Sequence, residues 1–204
     1  MRRTKEDALH TREALLGAAE WLFAQRGVSR TSLQDIAKAA GLTRGAVYWH
    51  FKDKAELFNA MMARTTLPME DNLAAIGQAE QDEPLAALQR SALDALTRIA
   101  RDPRTQRVFE IATHKVEYTD EHEGIRTRHR EGHRQCRGHI QATFARAQAL
   151  GQLAEGVDTA VVTLAYLALV DGLIHNWMLD TSQFDLVEIG ERSIGLFLQG
   201  LLAR

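Results

Sequence analysis

The chain has one cysteine, Cys136, so an intramolecular disulfide framework is excluded. It has only three prolines, Pro68, Pro84 and Pro103, and no alternating Val/Ile/Thr runs between turn signals, which leaves little room for strands. No Pro/Gly/Ser-rich or repeated tract suggests a linker or a solenoid. The opening MRRTKEDALH has no apolar core of the kind a secretory signal needs, which points to a cytoplasmic protein. The longest apolar run, Ala160 to Val170 interrupted only by Thr163, stops at Asp171. That is short of the ~20 residues needed to span a bilayer, so it reads as a buried or interface helix with no membrane partner.

What is present is an ordinary globular composition, 45% hydrophobic and 25% charged, on 204 residues. The net charge of -2 hides two unlike parts. Residues 1 to 54 carry ten Lys/Arg against six Asp/Glu, a balance of +4, and residues 55 to 204 carry fifteen against twenty-one, a balance of -6. The basic charge lies where a nucleic-acid module would need it.

Apolar spacing predicts an all-α chain of about nine helices. Leu15, Ala18, Ala19, Leu22 and Phe23 mark a first helix from Ala8 to Arg26, closed by Gly27. Ser32, with Asp35 three residues later, caps a second helix through Ile36, Ala37 and Ala40. After the turn Gly41-Leu42-Thr43, Thr43 caps a third, Arg44 to about His50. Asp53 and Glu56 open a fourth that Pro68 should kink or end. Further helices are expected at about 84–101, 104–115, 119–150, 157–179 and 185–203.

Two short helices joined by a Gly-containing turn make a helix-turn-helix, whose second helix enters the DNA major groove. Arg44 would then offer two donors to guanine O6 and N7, while Gly45 lets the backbone approach. Tyr48, Trp49, His50 and Lys54 would hold position against phosphates or a thymine methyl. Thr31, Ser32 and Thr43 would place hydroxyl or amide donors at helix starts, and Arg2, Arg3 and Lys5 could form a basic arm. Val47 and Phe51 read as core, with Trp49 partly so.

The whole string TSLQDIAKAAGLTRGAVYWHFKDKAELF, Thr31 to Phe58, closely resembles the N-terminal signature of the TetR family of repressors. HKVEYTD (His114 to Asp120) and VDGLIHNW (Val170 to Trp177) carry the resemblance into the AcrR/TtgR-type regulators of multidrug efflux genes. The resemblance implies a DNA-binding domain over residues 1–54 and a ligand-binding and dimerisation domain over 55–204. It implies a homodimer that binds a pseudopalindromic double-stranded operator, released by a small apolar or aromatic effector. The effector-site positions it implies are Leu88, Ala95, Phe109, Thr113, Cys136, Ile140, Leu167, Val170, Asp171 and His175. At Phe109 and Thr113 the chain departs from more polar side chains in that group, so its effector preference does not carry over.

Beyond Pro68 there is no nucleotide-binding Gly loop, no paired catalytic carboxylates and no Ser/His/Asp pattern, so neither an enzyme nor a cofactor is expected. The last two helices, with Val161, Leu164, Ala168, Leu173, Ile194 and Leu201, are apolar nearly all round and read as both core and subunit interface. His129, His133 and Cys136 fall at i, i+4 and i+7, with His122 and His139 near, a spacing that could hold zinc. Five arginines between Arg126 and Arg137 disfavour a cation there, and no metal site is expected.

Overall fold

The computed structural model describes residues 5–78, 82–117 and 123–203. Among them are nine helices: α1 Lys5–Arg26, α2 Leu33–Ala39, α3 Arg44–His50, α4 Lys54–Gln78, α5 Pro84–Arg101, α6 Pro103–His114, α7 Glu123–Ala149, α8 Thr159–Leu179 and α9 Leu186–Gln199. Helix starts follow the expected chemistry. Asp158 and Asp185 accept the first free amides of α8 and α9, and Pro84 opens α5 where its missing N–H costs nothing.

Three expectations are corrected and a fourth is set beside a further fact. α4 does not end at Pro68 but continues to Gln78, although the ring removes the donor that Arg64 C=O would otherwise receive. α9 ends at Gln199, because the last residues turn back onto the loop after α7. There Ala154 N–H donates to Leu201 C=O at 2.8 Å and Ala203 N–H to Gln152 C=O at 3.0 Å. Lys5 opens α1 and so is not part of an extended arm; Arg2, Arg3 and His122 lie outside the described residues. Finally, α8 spans 21 residues and is by length and composition alone apolar enough to cross a membrane, although the apolar run inside it is shorter.

The chain forms two compact units. The first contains residues 1–66 and 107–129, the second 67–106 and 130–204. The chain therefore leaves the first unit within α4 rather than after Lys54, and α6 and α7 also pass from one unit to the other.

The first unit is organised around Leu15, Leu16, Phe23, Ile36, Val47 and Leu57, all with no exposed surface. Val108 and Ile111 of α6 and Ile125 of α7 close the same core, and Val28 N–H donates to Lys115 C=O at 3.0 Å. α6 is thus built into the unit that carries the helix-turn-helix. In the second unit α5 packs on α9, where Gly190 lies so close to Leu96 that a Cβ would overlap its side chain. Phe144 and Phe197 flank the ring of Tyr166, whose hydroxyl donates to Leu88 C=O at 3.2 Å. Burial holds that phenol protonated far above its ordinary range.

Phe144→Ala should therefore destabilise the chain by about 3–5 kcal/mol, and Tyr166→Phe, which loses one buried hydrogen bond, by about 1 kcal/mol. Urea unfolding midpoints at constant slope check both values.

Candidate nucleic-acid interface

A seven-residue helix is too short to be stable alone, so α3 depends on what fastens its ends. At the start, the Thr43 hydroxyl accepts from Ala46 N–H at 3.3 Å. On its inner side Val47 is fully buried, and Phe51 follows in the same core beneath the guanidinium of Arg12, 5.3 Å from the ring centre. α2 is fastened by a reciprocal box. Asp35 N–H donates to the Ser32 hydroxyl, and the Asp35 carboxylate accepts from the Ser32 hydroxyl at 2.6 Å and amide at 3.0 Å. Those two bonds hold the Asp35 carboxyl below the ordinary aspartate range, the hydroxyl being the larger cause.

Between the two helices, Gly41 N–H donates to Lys38 C=O and Leu42 N–H to Ala37 C=O, a Schellman closure. It needs the left-handed backbone of Gly41, φ 68°, which a side chain would strain. The closure turns α3 so that its outer side is open. Arg44, Gly45, Tyr48 and Trp49 are all exposed there, Trp49 by 69%. Trp49 is therefore not part of the core, as its apolar ring had suggested. Its ring meets His50 edge-on at 4.5 Å, and His50 is half-buried.

Arg44 and Tyr48, one turn apart, hold one another. Arg44 Nη2 donates to the Tyr48 hydroxyl at 3.3 Å, with the guanidinium 5.4 Å from the ring centre. They border a cleft of about 240 Å³ that Ser32, Leu33, Gln34 and Lys54 complete. Gln34 was not singled out from sequence. Its position two residues inside the α2 cap was the available signal, since the first turn of the supporting helix faces the same cleft.

Two expected contacts are placed differently. Thr31 is 1% exposed, and its hydroxyl donates to Gly27 C=O at 2.8 Å, so it ties the α1–α2 corner instead of facing outward. Lys54 lines the cleft but already donates to Val28 C=O at 2.9 Å and Ser29 C=O at 3.4 Å. The ammonium thus satisfies carbonyls left over beyond the end of α1.

The expected effector positions do not fall together in one unit. Phe109 and Thr113 belong to the first unit and the other eight to the second. Leu88 and Ile140 are buried, while Ala95, Cys136, Leu167 and Val170 are half-buried. Asp171 and His175 are exposed on α8, at helical spacing from the exposed Leu164 and Ala168. In the single chain they are on the outer side of the helix. An acid can sit in so apolar a helix because that side is open. Among the described residues no group of three or more His, Cys, Asp or Glu is gathered as metal ligands would be.

The family model of bacterial regulatory proteins of the tetR family matches residues 15–61. That of the C-terminal region of MAATS-type transcriptional repressors matches residues 83–202. The chain is 40% identical over 188 residues to the HTH-type transcriptional regulator TtgR of Pseudomonas putida, covering 92% of this chain and 89% of the relative. Among solved structures it is similar to NalD, the secondary repressor of the MexAB-OprM multidrug efflux pump in Pseudomonas aeruginosa. There the TM-score is 0.88 at 35% identity, over 96% of this chain and 98% of that one. It is also similar to the SmeT–triclosan complex, with a TM-score of 0.87 at 31% identity over 95% and 92% of the two chains. SmeT is the repressor of the Stenotrophomonas maltophilia multidrug efflux pump SmeDEF.

Thr43→Ala should lower stability by about 1 kcal/mol through loss of the α3 cap. The Ser32–Asp35 box gives a sign for pH. A carboxyl depressed in the folded state stabilises above its unfolded value, and that contribution disappears as pH falls through the lower folded value. A carboxyl titration followed by NMR should show Asp35 with a midpoint below ordinary aspartates, restored toward ordinary in Ser32→Ala.

Proposed function

Because the chain belongs to the tetR family of bacterial regulatory proteins, we propose that it represses transcription as a homodimer. In this reading α3 of each subunit enters successive major grooves of a pseudopalindromic operator, and a small apolar effector releases it. The observation that carries this reading is the outer side of α3. Arg44, Tyr48 and Trp49 stand exposed on a helix that Val47 and Phe51 anchor from behind. Exposed aromatics beside an arginine on a capped helix are costly on a plain surface and useful against base edges and phosphates.

Arg44 reads a base, released from Tyr48 as it does so. Tyr48, Trp49, His50, Thr43 and Gly45 set position, with Ser32 and Gln34 at the cleft edge. Lys54 contributes by fixing the start of α4 and Thr31 by fixing the α1–α2 corner. The genes controlled are those of a multidrug efflux system, by analogy with the repressors NalD and SmeT.

The homodimer uses α8 and α9. Val161, Leu164, Leu179 and Leu196 are 55–72% exposed in the single chain, an apolar set that a second copy of the same helices would cover. Lipid is a poorer cover. Asp171, His175 and Asn176 fall on the same open side, and an acid near the centre of a membrane helix costs about 2.5–3.5 kcal/mol. The effector site uses the half-buried Ala95, Cys136, Leu167 and Val170 of the second unit, which offer apolar surface without occupying its tightest core. Triclosan, present in the SmeT complex, is the first effector to try.

A gel shift on DNA upstream of the gene should give a complex that weakens steeply with salt and dissociates on addition of triclosan or another apolar antimicrobial. Arg44→Ala should weaken it by about 1–3 kcal/mol. Leu164→Glu with Leu196→Glu should convert dimer to monomer in sedimentation and abolish the complex. A wild-type chain that is monomeric, or that binds with no salt dependence, would contradict the proposal.

A further inference from the structure

The first unit contains a buried acid that DNA contact does not use. The Glu20 side chain, on α1 between the core residues Leu16 and Phe23, is 4% exposed. Its two oxygens are divided between two other helices. Oε2 accepts from Arg64 Nη2 of α4 at 3.2 Å, and Oε1 accepts from Arg107 Nη1 of α6 at 2.9 Å. Arg64 also donates from Nη1 to Glu13 Oε2 at 2.8 Å, two turns earlier on the same side of α1. A carboxylate so enclosed needs hydrogen-bond donors on both oxygens, and withdrawing either guanidinium would leave it less well satisfied.

The two arginines occupy special places. Arg64 lies two residues before the point where α4 leaves the first unit, and Arg107 is the residue at which α6 enters it. Both helices thus carry a cation at the crossing, and one carboxylate on α1 binds both. α1 in turn shares its core with Ile36 of α2 and Val47 of α3. A shift of α4 or α6 is therefore applied to the helix against which the helix-turn-helix is packed.

We propose that Glu20 is a positioning residue for operator binding: by holding Arg64 and Arg107 together it sets α1, and through the shared core α3, in the arrangement that binds DNA. The inference rests on the repressor reading above. Glu20 touches no DNA in this scheme, so its removal changes geometry without changing the number of phosphate contacts.

The test is binding of the intact protein to the upstream DNA fragment, by fluorescence anisotropy at several salt concentrations, with the folded fraction taken from circular dichroism. Glu20→Gln should weaken binding tenfold or more at an unchanged salt slope, because the slope counts phosphate contacts. Glu20→Asp, which keeps the charge, should recover part of the loss. Arg107→Gln should weaken binding in the same direction, and should add little to Glu20→Gln in the double variant. Ile99→Val, a core change in the second unit, should lower the melting temperature yet leave the affinity of the folded fraction within twofold. If Glu20→Gln does not fold, the half-exposed Arg107→Gln carries the test alone. Binding by Glu20→Gln or the folded Arg107→Gln within twofold of wild type, or an additive double variant, overturns the proposal. Wild type that ignores the fragment overturns the repressor reading itself and the positioning role with it, a result seen before any variant is made.

Discussion

Everything in the DNA-facing part of the molecule depends on how a seven-residue helix is kept folded with one side left bare. Val47 is the single buried residue of α3, and the helix has too few internal hydrogen bonds to hold itself. Its order is therefore borrowed. Thr43 supplies the cap, Phe51 the anchor beyond the end, and Gly41 the backbone turn that aims the helix outward. Because the core holds α3 from behind, the exposed residues can be chosen for recognition instead of packing. The same constraint gives α1, the longest helix of that core before α4, a supporting place, since its Leu15, Leu16 and Phe23 share the core that holds Val47.

The sequence pattern made the caps and turns legible because they are local chemistry. A hydroxyl followed three residues later by an acid, or a glycine after the last apolar position, has one favourable geometry whatever the rest of the fold does. Val47 and Phe51 were legible as core through their spacing. Trp49 was not, since an indole has enough apolar area to suggest burial and enough polarity to stand outside. Thr31 shows the converse: a hydroxyl near a helix start looked like a phosphate donor, but its partner is a carbonyl four residues back. At Pro68 the missing donor leaves two outcomes open, a kink or an end, and the helix does not end there but continues with one hydrogen bond fewer.

Longer-range features left no local sign. Nothing in the spacing of α6 shows that its second half packs into the first unit through Val108 and Ile111, because an amphipathic helix reads the same whichever partner it covers. For that reason the expected effector residues divide unevenly, with Phe109 and Thr113 on the half of α6 that supports the helix-turn-helix. Family membership gives the kind of protein. It does not say which of those positions remains accessible in this chain, and the exposure of Asp171 and His175 is a property only coordinates could supply.

The acid on α1 bears on what that support is for. A buried ion pair adds little to stability in general, since desolvation cancels most of the attraction, and apolar residues of similar size often serve as well. If Glu20, Arg64 and Arg107 were there only to hold the unit together, Leu or Met would do so at less cost, as Leu15 and Met61 do nearby. What an apolar contact cannot do is discriminate between small displacements. Dispersion forces tolerate sliding among neighbours of similar shape, whereas a divided carboxylate is satisfied only when two guanidinium groups from two helices are both within hydrogen-bond reach. Placed where α4 and α6 pass between units, that requirement favours one arrangement of three helices over its near alternatives. The marginal stability gained there matters less than the number of arrangements it removes.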